Sequence, residues 1–415
     1  MADLNHELRQ LAEDGARQAR PLDVADVIRQ GDRRPGRRWP GWVAPLAAAA
    51  MVTAVVASAA VLSSAIHGSG PEHRPAAPTI YASYQALNGF DSVIVPINTA
   101  TNALGKPIRG LGGEMQITPD GKKIYVSGND EVVPVSTATN RPGRPVQVPG
   151  VASNYVMLMN PDGKTVYIIT FMDYDTIIPV SMAAHTVGKP ISVSLDDSPP
   201  VIAFTPDGKT AYVGSQGHMV TPISTATNRP GAPIHLGFNA ASIAITPDGK
   251  TAYVAGFSSD KVIPISTATN RPGQPIRIGT RPREIVVSPD GKTVYVDTFD
   301  GTIVPISTAT NTPGTPVHIG MIAGPITFSP DGKNAYIAGL DGTIIPFSTV
   351  TNTAGQPISI SRRPGSIMSI VFTPDGKTAY VAVTNKIIPI STATNKPGKP
   401  IRVPYGLPGW MVITP

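Results

Sequence analysis

The stretch Ser288–Gly320, SPDGKTVYVDTFDGTIVPISTATNTPGTPVHIG, is the unit from which the chain is built. Three short apolar runs stand in it, and a fourth precedes it at Ile285-Val286-Val287. The segments between them are turns. Pro289-Asp290-Gly291-Lys292 suits a tight hairpin, since proline presets φ, aspartate bonds nearby backbone and glycine accepts the left-handed position. Ser307 to Gly314 forms a longer turn whose hydroxyls can satisfy backbone donors. Four strands in roughly 42 residues make one small antiparallel sheet that cannot bury both of its faces alone, so it must stack on copies of itself.

The copies are present. The tetrad P-D-G-K begins at Pro119, Pro161, Pro206, Pro247, Pro289, Pro330 and Pro374, in steps of 41 to 45 residues. S-T-A-T-N recurs at Ser136, Ser224, Ser266, Ser307 and Ser391, nearly intact at Asn98 and Ser348, and eroded at Ser181. A period near 42 with four strands per unit predicts an all-β fold, a β-propeller. With strands lettered a to d, the chain enters at Thr79-Ile80-Tyr81-Ala82 in strand b and ends at Met411-Val412-Ile413 in strand a. Eight blades are therefore predicted, the last strand completing the first blade. A seven-bladed ring with one irregular unit is the alternative, because the unit around Ser181 is the least regular.

Ala379-Tyr380-Val381-Ala382-Val383-Thr384-Asn385, followed by Ile387-Ile388-Pro389-Ile390-Ser391, resembles the YVTN-type β-propeller repeat family of bacterial and archaeal surface proteins and lactonase-like propellers. The resemblance covers residues 79–415 and implies a fold rather than one activity. One departure stands out. Each third strand carries a proline, as at Pro96, Pro134, Pro305 and Pro389, and proline cannot donate to a ladder, so pairing should be interrupted on one side there.

Ahead of the propeller the composition changes. Residues 1–41 hold eight arginines, no lysine and seven acids, and read as a cytoplasmic tail with short helices around Leu4, Leu8 and Leu11 and around Val27. Residues 42–66 carry no charge and are long enough to cross a bilayer. Arg33, Arg34, Arg37 and Arg38 precede them, which places the N-terminus in the cytoplasm and the propeller outside. A cleaved signal peptide, with secretion, is the alternative. Residues 67–78 form a polar linker. The chain lacks cysteine, which removes disulfides and thiol chemistry together.

Antiparallel order puts the P-D-G-K and S-T-A-T-N turns on one repetitive face and the b–c and d–a loops on the other, variable one. Variable loops on a rigid scaffold are where sites are normally built. The candidate ligand-binding residues there are Tyr84, Glu114, Asp130, Glu131, Asp173, Tyr174, Asp175, His218, Arg281, Arg283, Glu284, Arg362, Arg363 and Trp410. Glu114 and Glu284 begin equivalent inner strands in opposite blades, too far apart to share a substrate. No histidine pair has metal spacing, and phosphate-loop, haem-attachment and G-x-S-x-G patterns are absent, so neither cofactor nor metal is expected. A net charge of +6, scattered along the chain, argues against nucleic acid. The expectation is a monomeric, membrane-anchored binding scaffold for a protein or envelope glycan. A lactonase-like or other hydrolase at the channel mouth is the alternative, and an envelope sensor signalling through the tail is another.

Overall fold

A computed structural model of the chain describes residues 77–85, 92–128, 130–149, 155–170, 176–193, 201–214, 217–361, 367–405 and 407–415. The expected tail, membrane helix and most of the linker lie outside them. Every described element is a strand, and the strands form eight antiparallel sheets arranged as an eight-bladed propeller. Blade 1 joins the two ends of the ring. Its strands b (Thr79–Gln85), c (Ser92–Asn98) and d (Ile108–Arg109) are completed by strand a, Leu407–Ile413, which pairs with strand b. The closure is non-covalent, as the permuted repeats predict. All strands of the ring, closing strand included, lie within residues 77–415.

Blade 6 shows how the repeat folds. Strands a (Pro282–Val287), b (Thr293–Thr298) and c (Thr302–Ser307) pair antiparallel, with Tyr295 opposite Pro305. In the a–b turn Gly291 takes a φ of 72° and Asp290 Oδ1 accepts from Ser288 Oγ at 2.7 Å and from Lys292 N at 3.0 Å. In the c–d turn Thr308 Oγ1 donates to the Gly291 carbonyl at 2.7 Å, so both repeated turns lie on the same face. The outer strand departs from a simple four-stranded reading. It is split into Thr312–Pro313 and Val317–His318, and both pieces pair with strand c. Pro305 is the reason. Its missing N–H points outward, so strand d lifts over the ring, and Gly314 N donates to the Pro305 carbonyl at 2.7 Å. A Cβ on Gly314 would come within 3.3 Å of the proline ring, which is why a glycine stands there. The same split recurs in blades 2 to 8.

The apolar side chains on both faces of each sheet gather into eight clusters, one at every seam between consecutive blades. Each seam is also latched. Tyr295 donates its hydroxyl to Asn352 Oδ1 of the next blade at 2.7 Å. Tyr81, Tyr167, Tyr212, Tyr253, Tyr336 and Tyr380 do the same to Asn140, Asn228, Asn270, Asn311, Asn395 and Asn102, at 2.6–2.9 Å. The asparagines sit at φ of 52–57°, a left-handed position that asparagine tolerates better than most residues. The exception is the seam between blades 2 and 3. There the turn is eroded, His185 occupies the left-handed position at φ 52°, and Tyr125 has no such partner.

Candidate functional site

The variable face begins where the inner strands bulge. In blade 6 the register of strand a shifts between Pro282 and Glu284, and the extra residue aims Arg283 into the protein. Arg283 Nε donates to Asp297 Oδ2 at 2.7 Å, and its Nη2 lies 2.6 Å from the same oxygen. Nη2 also donates to the Gly324 carbonyl of blade 7 at 3.1 Å, tying two blades together. Glu284, opposite Asp297 in the ladder, is 2 % exposed, with Oε2 3.9 Å from Arg283 Nη2. Two buried carboxylates thus share one guanidinium. Asp297 is fully buried, and burial pushes its carboxyl up to about 6 even though Arg283 pulls it down.

Glu114 does a related task on the opposite side of the ring. Its carboxylate accepts the N–H of Met157 in strand a of blade 3, while Gln116 Nε2 donates to the Met157 carbonyl at 3.2 Å. Both groups of one peptide-edge residue, which face away from their own sheet, are therefore held by blade 2. Burial pushes the Glu114 carboxyl up to about 8. This clasp lies at the seam that lacks the tyrosine latch. Glu114 and Glu284 sit in blades 2 and 6, at opposite sides of the ring, as the sequence indicates.

Nearer solvent, Arg281 lies over two phenylalanines. Its guanidinium carbon is 5.7 Å from the Phe257 ring centre and 5.3 Å from that of Phe299. The two rings meet edge to face with centroids 6.4 Å apart. Phe257 remains 40 % exposed although it is a large apolar residue. The acids nearby are engaged: Asp260 pairs with Arg277 at 3.0 Å, and Asp300 accepts from Thr280 at 2.9 Å and from Thr298. Arg281 keeps one long contact, to Ser258 Oγ at 3.4 Å.

The remaining candidates are spread around the ring. Asp130 and His218 are exposed left-handed turn residues in blades 2 and 4, and their carbonyls accept from Val148 and Leu236. Glu131 Oε2 accepts from Gln147 at 2.8 Å on an outer edge. Tyr84 is not a loop residue. Strand b of blade 1 runs one position beyond it, and it is 1 % exposed in the apolar seam between blades 8 and 1. Its hydroxyl is buried without a hydrogen-bond partner, and burial pushes its pKa upward. Trp410 lies in the bulge of the closing strand, where its N–H and Ser83 Oγ are 2.9 Å apart. It packs against both the blade 1–2 and the blade 3–4 clusters, so its indole spans that side of the central channel. Asp173, Tyr174, Asp175, Arg362 and Arg363 lie outside the described residues.

The structure thus brings Arg281, Arg283 and Glu284 together on blade 6. Asp297 and Gln116 were missed. Asp297 could have been found, because the same strand b position holds Ser127, Ile169, Gly214 and Ala255 in other blades and a charge there is out of place. Open grooves of about 500 and 460 Å³ lie on the repetitive side, between blades 6 and 7 and between blades 5 and 6. Turn residues that recur around the ring line them. No cluster of three metal-ligating side chains occurs among the described residues.

No family model and no curated protein sequence matches the chain. Solved structures do resemble it. The dihydro-heme d1 dehydrogenase NirN, in complex with DHE, superposes with a TM-score of 0.65 at 13 % identity, covering 84 % of this chain and 77 % of that one. AztD from Citrobacter koseri gives 0.61 at 12 % identity over 81 % of this chain and 97 % of its own. Hydrazine synthase from Kuenenia stuttgartiensis gives 0.51 at 20 % identity over 71 % of this chain and 97 % of that one. At such identities the likeness carries the propeller architecture and no activity.

Proposed function

We propose that the protein is a membrane-anchored propeller outside the cytoplasm that binds a protein or cell-envelope ligand on its variable face, at blades 5 and 6. The observation that supports this most is the Arg281–Phe257–Phe299 cluster. Arginine and aromatic side chains dominate the few residues that supply most binding energy at interfaces. Here they are preassembled at the ends of strands whose seams are latched, with Arg281 and Phe257 exposed and Phe299 half-buried. A stacked guanidinium with free donors suits a carboxylate- or hydroxyl-bearing partner, and the ring edges offer apolar contact. The anchor rests on residues 42–66, uncharged and preceded by four arginines within six positions.

The soluble fragment 77–415 serves as bait for envelope extract, beside Phe257→Ala and Arg281→Ala. The partner captured by the parent should bind each variant about 10- to 30-fold more weakly, with melting temperatures unchanged. Equal capture by all three proteins would remove this cluster as the binding site.

A further inference from the structure

Cations are unevenly spread around the repetitive face. Lys122, Lys209, Lys250, Lys292 and Lys377 each lie 3.5–3.8 Å from the aspartate two residues before them, so these a–b turns add little net charge. The excess comes from the c–d turns and the outer edge beside them, where no acid stands. Lys396 and Lys399 of blade 8, Lys106 of blade 1, Arg141 and Arg144 of blade 2 and Lys189 of blade 3 are all exposed. Those four blades are consecutive around the ring. The other four carry only Arg229 and Arg271 at these positions, and blades 6 and 7 carry threonine and glutamine.

Apolar side chains accompany the charges. Leu104 and Val187, each 39 % exposed, stand two residues before Lys106 and Lys189. They are two of the four large hydrophobics exposed among the described residues; Val350 stands apart in blade 7 and Phe257 on the other face. The chain also enters the ring here. The Pro78 carbonyl accepts from Thr99 N at 3.1 Å and from Thr99 Oγ1 at 2.7 Å, bonds that the Lys122 and Gly121 carbonyls share toward Thr137 in blade 2.

We propose that this arc of blades 8, 1, 2 and 3 rests on the headgroup layer of an anionic bilayer, with Leu104 and Val187 entering it. The reading builds on the membrane anchor above and adds which side of the ring faces the lipid. Three observations select a bilayer over a soluble polyanion. Cations alone would suit either, but a polyanion gains nothing from the two apolar side chains. The arc includes the blade where the chain arrives. Residues 67–78 extend to at most about 40 Å, so the uncharged stretch 42–66 cannot lie farther from the arc than that. Headgroup attraction acts within a Debye length, so the cations must lie close to the surface to gain from it.

Fragment 77–415, which contains the whole ring, should co-sediment with vesicles of phosphatidylcholine and phosphatidylglycerol and not with phosphatidylcholine alone. Lys106→Glu/Arg141→Glu/Arg144→Glu should weaken this about tenfold or more, and Arg229→Glu/Arg271→Glu, on the same face away from the arc, by less than about threefold. All should melt like the parent. Tryptophan emission of the Leu104→Trp variant should shift to the blue with anionic vesicles and not with inorganic polyphosphate. Absence of sedimentation, equal loss in the two charge variants, or binding without a blue shift each overturns the docking arc. Carbonate extraction of the full chain tests the anchor separately. A released chain overturns the anchor while the vesicle result stands, and an embedded chain whose ring ignores anionic vesicles overturns the docking alone.

Discussion

The seam between blades 6 and 7 and the seam between blades 2 and 3 come from the same repeat, yet they are held differently. At the first, Tyr295 bonds Asn352 near the repetitive face, and Arg283 reaches Gly324 at the variable end. At the second, the turn has lost its asparagine to His185, and the polar ties lie at the inner strands, where Glu114 and Gln116 grip Met157. The difference teaches that, apart from the one eroded turn at His185, individuality in these seams lies at their inner ends. There an odd residue replaces a repeated one and brings a charge inside. The remaining contacts are copied from blade to blade, and the variable loops are therefore free to differ.

The largest effect is expected at the closing strand, whose two seams keep the tyrosine latch but depend on its apolar side chains. Removing residues 410–415 takes Met411 and Ile413 from the blade 8–1 cluster and Trp410 and Val412 from the blade 1–2 cluster. Two seams lose their inner wall together, so the fragment should lose its cooperative melt and become protease-sensitive. A monomer with an unchanged melt would show that the closing strand is dispensable.

Arg283→Met comes next. It leaves Asp297 and Glu284 opposite each other in a buried ladder without their guanidinium, a loss of about 3–5 kcal/mol by analogy with broken buried pairs. The pH dependence follows from Asp297. Its folded carboxyl lies at about 6, above its unfolded value, so the folded state holds that proton more tightly. Its contribution is most favourable below about pH 4 and weakens as the pH rises toward 6. The variant lacks the charge that pulls this value down, so its deficit in urea midpoint should be largest above pH 6 and shrink toward pH 5. A deficit that does not change with pH would mean that Asp297 is not the group left exposed.

Glu114→Gln probes the other seam with the opposite sign. The folded carboxyl lies at about 8 because burial disfavours its charge. Ionisation therefore opposes folding progressively as the pH rises from about 4.5 to 8. A glutamine oxygen can still accept the Met157 N–H without that cost. The variant should stay close to the parent near pH 5 and exceed it at pH 8 by up to about 4 kcal/mol. A loss at both pH values would make the carboxylate itself, rather than its hydrogen bond, the element that holds Met157.

Much of this was readable in the residues. The seven P-D-G-K tetrads and the permuted ends carry the blade number and the closure, because turn residues report backbone geometry directly. The proline in each third strand predicted the broken outer ladder. What escaped depends on distances between blades. Gln116 meets Met157 of the next blade across 41 positions, and Trp410 reaches the blade 3–4 cluster from the far end of the chain. Tyr84 shows a boundary effect: strand b continues past it, so a residue placed in a loop becomes core. The tyrosine latch was half visible, since tyrosine and asparagine recur in step, but their partnership joins one repeat to the next and follows only from the ring.

That partnership gives the smallest and most discriminating prediction. Tyr295→Phe should cost about 1 kcal/mol, because it removes a hydrogen bond and leaves Asn352 Oδ1 without its donor. Tyr125→Phe should cost almost nothing, since its hydroxyl has no asparagine to meet. His185→Asn should then repair the weak seam. The backbone at His185 already has φ 52°, like the latch asparagines at 52–57°, so the new side chain starts in the left-handed geometry the bond requires. The expected gain is roughly 0.5–1.5 kcal/mol in urea unfolding. Part of that gain belongs to asparagine's tolerance of a positive φ, and part to the new bond. Combining His185→Asn with Tyr125→Phe separates them: the double variant keeps the backbone part and loses the rest. If His185→Asn stabilises equally with and without the Tyr125 hydroxyl, the turn is improved but no latch has formed, and the seam between blades 2 and 3 differs from the others by more than one residue.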